Sequence, residues 1–135
     1  MPPQYNYGFG AKLQFDFTLT EDGNVVVGKD NDGNDIKVPI KFFFSGDDDV
    51  WVYIDGKLFL DLSGIHRHVG GEIDFVNGVV KYYSLDTKTG DVSSTPYKTV
   101  TFSEILGSNA GLNANGTFND YTTHSFSFYY MERGS

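Results

Sequence analysis

Between Phe9 and Leu19 the apolar residues fall at every second position. Phe9, Ala11, Leu13, Phe15, Phe17 and Leu19 alternate with Lys12, Gln14, Asp16 and Thr18. A period of two puts one set of side chains on one face of an extended chain, whereas a helix would need a period of 3.6. The pattern returns in Ile36, Val38, Ile40, Phe42 and Phe44, in Val50, Val52 and Ile54, in Leu58, Leu60 and Leu62, and in Phe126, Phe128 and Tyr130. Each such segment has one face to bury, and stacked sheets are the direct way to bury several at once.

The punctuation agrees. Glu21-Asp22-Gly23, Asp30 to Asp35, Asp55-Gly56 and Asn77-Gly78 are turn sequences between apolar runs, and Asp-Gly and Asn-Gly are strong hairpin signals. Pro39 marks an edge or a bulge. Asp30 to Asp35 does not fit a calcium-binding EF-hand loop, because Gly28 and Pro39 would fall at its first and twelfth positions. Thr101 to Leu106 fits one helical turn with a partly matched capping box. Ser63 to Gly71 and Gly107 to Asp120 read as loops. Nine or ten short strands predict an all-β fold, a two-layer antiparallel β-sandwich with long loops at one end, built as a single domain over residues 1–135.

Composition narrows the partners. The 135 residues include 16 Gly, 12 Phe and 9 Tyr, a balance that favours strands and tight turns. A net charge of −8 argues against nucleic acid, which needs clustered Lys and Arg. With no cysteine there is neither a disulfide framework nor a thiolate metal site. No apolar run approaches the roughly 18–20 residues of a membrane span, so membrane insertion is not expected. Met1-Pro2-Pro3-Gln4 lacks the architecture of a signal peptide, which leaves a cytosolic protein or one domain of a longer exported chain.

Three consecutive carboxylates, Asp47, Asp48 and Asp49, stand at the mouth of the strand Val50 to Ile54. Adjacent like charges repel unless a cation or water absorbs them, and hard carboxylate oxygens suit Ca²⁺, which takes six to eight oxygen ligands. A solvated acidic turn, or carboxylates capping backbone amides, is the plainer alternative.

The run Phe44-Ser45-Gly46-Asp47-Asp48-Asp49-Val50-Trp51-Val52-Tyr53-Ile54-Asp55-Gly56-Lys57-Leu58, followed by Asp61-Leu62-Ser63-Gly64-Ile65-His66, resembles the signature of the fibro-slime domain of bacterial cell-surface and secreted proteins. That domain is similar to the protective-antigen-type carbohydrate-binding β-sandwich of bacterial adhesins and yeast flocculins. Phe128 to Gly134 resembles the family's penultimate strand. The resemblance implies Ca²⁺ on Asp47 and Asp48, joined by a cis peptide and assisted by Asp49, with the ion binding sugar hydroxyls. His66, Arg67, Trp51, Asn113 and Asn115 would then shape the ligand mouth. It also implies one further strand beyond Arg133, so that an edge along Phe126, Phe128 and Tyr130 would await a strand-donating peptide or neighbouring domain.

Other groupings are weaker. His66 and His68 would need His124 as a third zinc ligand. Trp51, Tyr53 and Phe59 form either an aromatic platform or packing beneath a second sheet. Asp55 and Asp61 could be imagined as a glycosidase pair, but no active-site signature accompanies them. Lys12 or Lys41, with Asp16 or Glu132, could be cast in an internal isopeptide crosslink, though a lysine facing solvent is the plainer reading. The expectation is a non-catalytic, calcium-dependent carbohydrate-binding adhesin module of a larger extracellular bacterial protein, with a structural stalk of a surface fibre as the alternative.

Overall fold

The computed structural model describes residues 9–46, 48–63, 69–84, 93, 95–107 and 111–132. They form ten strands and one short helix. One antiparallel sheet has the order β1 (Phe9–Thr18), β10 (Thr123–Glu132), β5 (Asp49–Ile54), β6 (Lys57–Asp61). The other has the order β4 (Lys41–Gly46), β7 (Val69–Asp74), β8 (Val79–Ser84), β9 (Lys98–Thr101). A separate hairpin joins β2 (Asn24–Lys29) to β3 (Asp35–Pro39). The fold is an all-β, two-layer sandwich.

Alternation decides what lies between the layers. Val50, Val52 and Ile54 of β5 and Leu60 of β6 are fully buried, and they meet Val69 and Ile73 of β7 and Val80 of β8 from the other sheet. Across the β4–β10 contact, Phe42 lies 5.1 Å from Phe126 and 5.6 Å from Phe128, ring centre to ring centre. The layers approach closely at Gly71, where a Cβ would sit 2.7 Å and 2.9 Å from the two Leu60 methyl groups. Glycine is the residue that this approach admits.

One end of the sandwich is closed by aromatic rings. The helix α1 (Phe102–Leu106) starts in a complete capping box: Thr101 Oγ1 accepts from the Glu104 N–H, and the Glu104 carboxylate accepts from the Thr101 N–H. The box fixes the chain's entry so that Phe102, fully buried, turns inward. Its ring lies 5.2 Å from Phe59, 5.7 Å from Phe75 and 5.2 Å from Phe118.

The structure corrects the expected free edge. β10 is a central strand, paired with β1 from Phe9↔Glu132 to Thr18↔Thr123 and with β5 from Phe126↔Ile54 to Met131↔Asp49. The residues that would have lined an open edge are therefore interior to a sheet, and no strand donor is needed beside them.

Candidate functional site

Asp49 opens β5 opposite Met131 and is 5% exposed. By alternation it shares the outer sheet face with Trp51 and Tyr53, away from Val50 and Val52. Asp48 is half-buried beside it. Asp47, and with it the expected cis peptide, lies outside the described residues, as do His66, Arg67 and His68. Among the described residues no three His, Asp or Glu side chains are grouped to hold a metal ion. Two carboxylates would supply only part of the oxygen shell that Ca²⁺ requires.

Trp51 and Tyr53 are half-buried on the outer face, with Tyr53 edge-on to Tyr129 at 5.8 Å and the Lys12 ammonium 5.5 Å from the Tyr129 ring. They do not pack beneath a second sheet. Phe59 does: it is 3% exposed in the core. Lys12 thus faces the surface, and Lys41, half-exposed, pairs with the Asp74 carboxylate at 3.6 Å. Neither lysine is desolvated as an isopeptide nucleophile needs.

Asn113 and Asn115 fall at the opposite end of β5 from Asp49, a strand length of about 17 Å. They brace their own loop. The Asn113 amide donates to Thr117 Oγ1, the Phe118 carbonyl and Asp120 Oδ1 at 3.0–3.1 Å. Asn115 Oδ1 accepts from the Thr117 N–H and hydroxyl. Among the described residues, Asp48 and Asp49 are not brought together with these asparagines.

A different group does converge at the end closed by the rings. The antiparallel register Phe126↔Ile54 carries the start of β10 alongside the β5–β6 turn. Asp55, at φ +52° in that turn, accepts at Oδ1 from the Ser125 N–H at 2.9 Å and lies 2.6 Å through Oδ2 from His124 Nδ1. The other ring nitrogen, Nε2, is 2.7 Å from Thr122 Oγ1, which donates to the Asn119 carbonyl at 2.6 Å. The imidazole is 9% exposed and lies over Phe118, with ring centres 4.0 Å apart. Both its nitrogens are engaged, so His124 is not available as a third zinc ligand. Asp61 is turned to the Ser63 N–H and hydroxyl, and does not face Asp55 as a glycosidase pair.

These residues line an open cleft of about 530 Å³. Its walls are Asp55, Lys57, Asn119, Thr122 and His124, and its apolar floor is Phe118 with Leu106. A carboxylate, an imidazole and a hydroxyl in sequence have the connectivity of a hydrolase triad, but the protons are arranged otherwise. A hydroxyl carries one hydrogen. Given to the Asn119 carbonyl, it leaves the lone pairs of Thr122 Oγ1 facing Nε2, so the ring must donate there. Given to Nε2 instead, it would leave two oxygens 2.6 Å apart with no hydrogen between them. Nδ1 meets the Asp55 carboxylate at 2.6 Å, where only a ring N–H puts a hydrogen in the contact. Every contact of this row therefore carries a hydrogen when both ring nitrogens donate, which leaves no lone pair for a general base awaiting a nucleophile's proton. Asp55 and His124 are 69 positions apart, so no local pattern in the sequence links them. Only the β5–β10 register, invisible in either segment alone, could have joined them.

Comparison with known proteins places segments of this chain among proteins of Dictyostelium discoideum. Protein psiP is 41% identical over 69 residues, covering 51% of this chain and 7% of psiP. Protein psiI is 37% identical over 70 residues, covering 52% of this chain and 7% of its own length. Protein psiG is 52% identical over 48 residues, covering 33% of this chain and 7% of psiG. The chain therefore spans a small part of the length of these relatives. No protein-family model and no solved structure matches it.

Relatives from this eukaryote overturn the expected calcium-dependent carbohydrate-binding adhesin of a bacterial surface protein. The lectin-like and adhesion readings, and the stalk of a bacterial surface fibre, are corrected with it.

Proposed function

We propose that this chain is a non-catalytic recognition domain of a longer protein, a β-sandwich of the fibro-slime type, whose ligand enters the cleft between the Asp55 turn and the Asn119–Thr122 segment. The observation that carries the reading is the hydrogen-bond order Asp55–His124–Thr122–Asn119 on the cleft wall. It builds a fixed polar wall beside an apolar floor, the usual make-up of a small-ligand site, and it directs the one available hydroxyl proton away from the imidazole. The match of the chain to only a small part of each relative supports a module within a larger whole.

The test has two arms. Incubation with activated esters should give no turnover that Thr122→Val or His124→Ala abolishes. A small-fragment screen by amide NMR should move signals of residues 55–57 and 118–124. Turnover that disappears in both variants would establish a hydrolase and sink the recognition reading.

A further inference from the structure

Both Asp55 oxygens have partners, one His124 and one the Ser125 N–H, on a side chain that is 44% exposed. Lys57, on the same cleft, enters no ion pair among the described residues. The Asn119 side-chain amide likewise makes no hydrogen bond among them, its residue being held instead through the carbonyl that Thr122 engages. Gly111 leaves that amide accessible: it sits at φ +72°, and a Cβ there would come within 3.3 Å of Asn119 Nδ2. An ammonium and an amide thus remain without protein partners, among the described residues, on a cleft that Leu106 and Phe118 also line.

We infer that the cleft takes a small organic carboxylate bearing an apolar group, with Lys57 and Asn119 donating to its oxygens and the apolar group lying on Phe118 and Leu106. This rests on the recognition reading above. Two donors match the two oxygens of a carboxylate, whereas a phosphate dianion asks for more donors and for the planar fork of an arginine, which these walls lack. Leu106, half-buried on the cleft, selects against a bare inorganic anion, because only an apolar group would cover it from water. In a chain of net charge −8 this is a local attraction, felt within about a Debye length of 8–10 Å. A free acid and the carboxylate at the end of a peptide present the same chemistry here.

Titration of the ¹⁵N-labelled full chain with 3-phenylpropionate, and separately with 3-phenylpropionamide, tests this. The acid should move the amide signals of Lys57, Leu106 and residues 111–123 and saturate at about millimolar concentration, with the neutral amide about tenfold weaker. Lys57→Gln, an exposed change that spares the fold, should lower acid binding to the level of the amide, and Asn119→Ala should weaken it too. A short peptide ending in phenylalanine, compared with its C-terminal amide, separates the two sources. Tighter binding of the acid-ended peptide than of 3-phenylpropionate assigns the site to chain ends, and the opposite order assigns it to free acids. Equal binding of acid and amide, or unchanged acid binding in Lys57→Gln, would overturn the carboxylate while leaving a recognition cleft. If neither compound moves these signals, both conclusions fall.

Discussion

At the scale of single residues, the exposed carboxylates of Asp55 and Asp61 and the buried one of Asp74 do different work. Asp55 ties the β5–β6 turn to β10 through His124 and Ser125. Asp55→Ala removes an acceptor from a ring that is 9% exposed, and should cost about 2 kcal/mol in urea unfolding. Asp61→Ala, which frees only Ser63 at the surface, should cost less than about 1 kcal/mol. Asp74 is the buried one among the carboxylates held below their ordinary range. Burial pushes its carboxyl up, but hydrogen bonds from the Asn77 side chain and backbone, the Lys41 ammonium and the Val76 N–H outweigh it, so it titrates below its ordinary 3.8. A depressed folded value means the unfolded chain binds the proton first. The stabilisation is therefore full above about pH 4 and is lost as pH falls through the folded value. Urea midpoints of Asp74→Asn against the parent should differ at neutral pH and converge in acid.

At the scale of elements, the aromatic end depends on α1. Phe102→Ala empties the centre of a ring cluster and should destabilise by about 3–5 kcal/mol, against about 1 kcal/mol for loss of the cap in Thr101→Ala. Gly71→Ala forces a methyl group against Leu60 and should cost about 1–3 kcal/mol. Combining it with Leu60→Ala should cost less than the sum, since the second change makes the room that the first lacks. Strands and turns were largely legible in the chain because period two and Asp-Gly or Asn-Gly act locally. The hairpins at Asp55-Gly56 and Asn77-Gly78, the Asp30–Asp35 turn and the single helical turn all formed where the residues placed them. Trp51 and Tyr53 were ambiguous because alternation says which residues share a face, and only the sheet order says which face meets the other layer.

At the scale of the whole molecule, the central position of β10 joins the first sheet through pairings 105 to 123 residues apart with β1 and 72 to 82 residues apart with β5. Amides of β5 and β10 should exchange with solvent only on global unfolding. Those of the β2–β3 hairpin, two strands alone with Val26, Val27, Ile36 and Val38 exposed, should exchange through local opening at far lower cost. Long-range pairing is also where the site escaped prediction. The acidic triplet stands out because its charges are adjacent in sequence, whereas the cleft is built from Asp55, Lys57, Leu106, Gly111, Phe118, Asn119 and residues 122–124, joined by register and by the Phe102–Phe118 packing.

The separation between a recognition cleft and a hydrolytic one comes down to a single hydrogen, the one between His124 and Thr122. Ring ¹⁵N NMR of the intact chain, reading the one-bond coupling at Nε2, locates it directly. A hydrogen bonded to Nε2, lost from the spectrum in His124→Gln and retained in Thr122→Val, is the predicted result. A bare Nε2 accepting from the Thr122 hydroxyl would contradict the account and restore the triad.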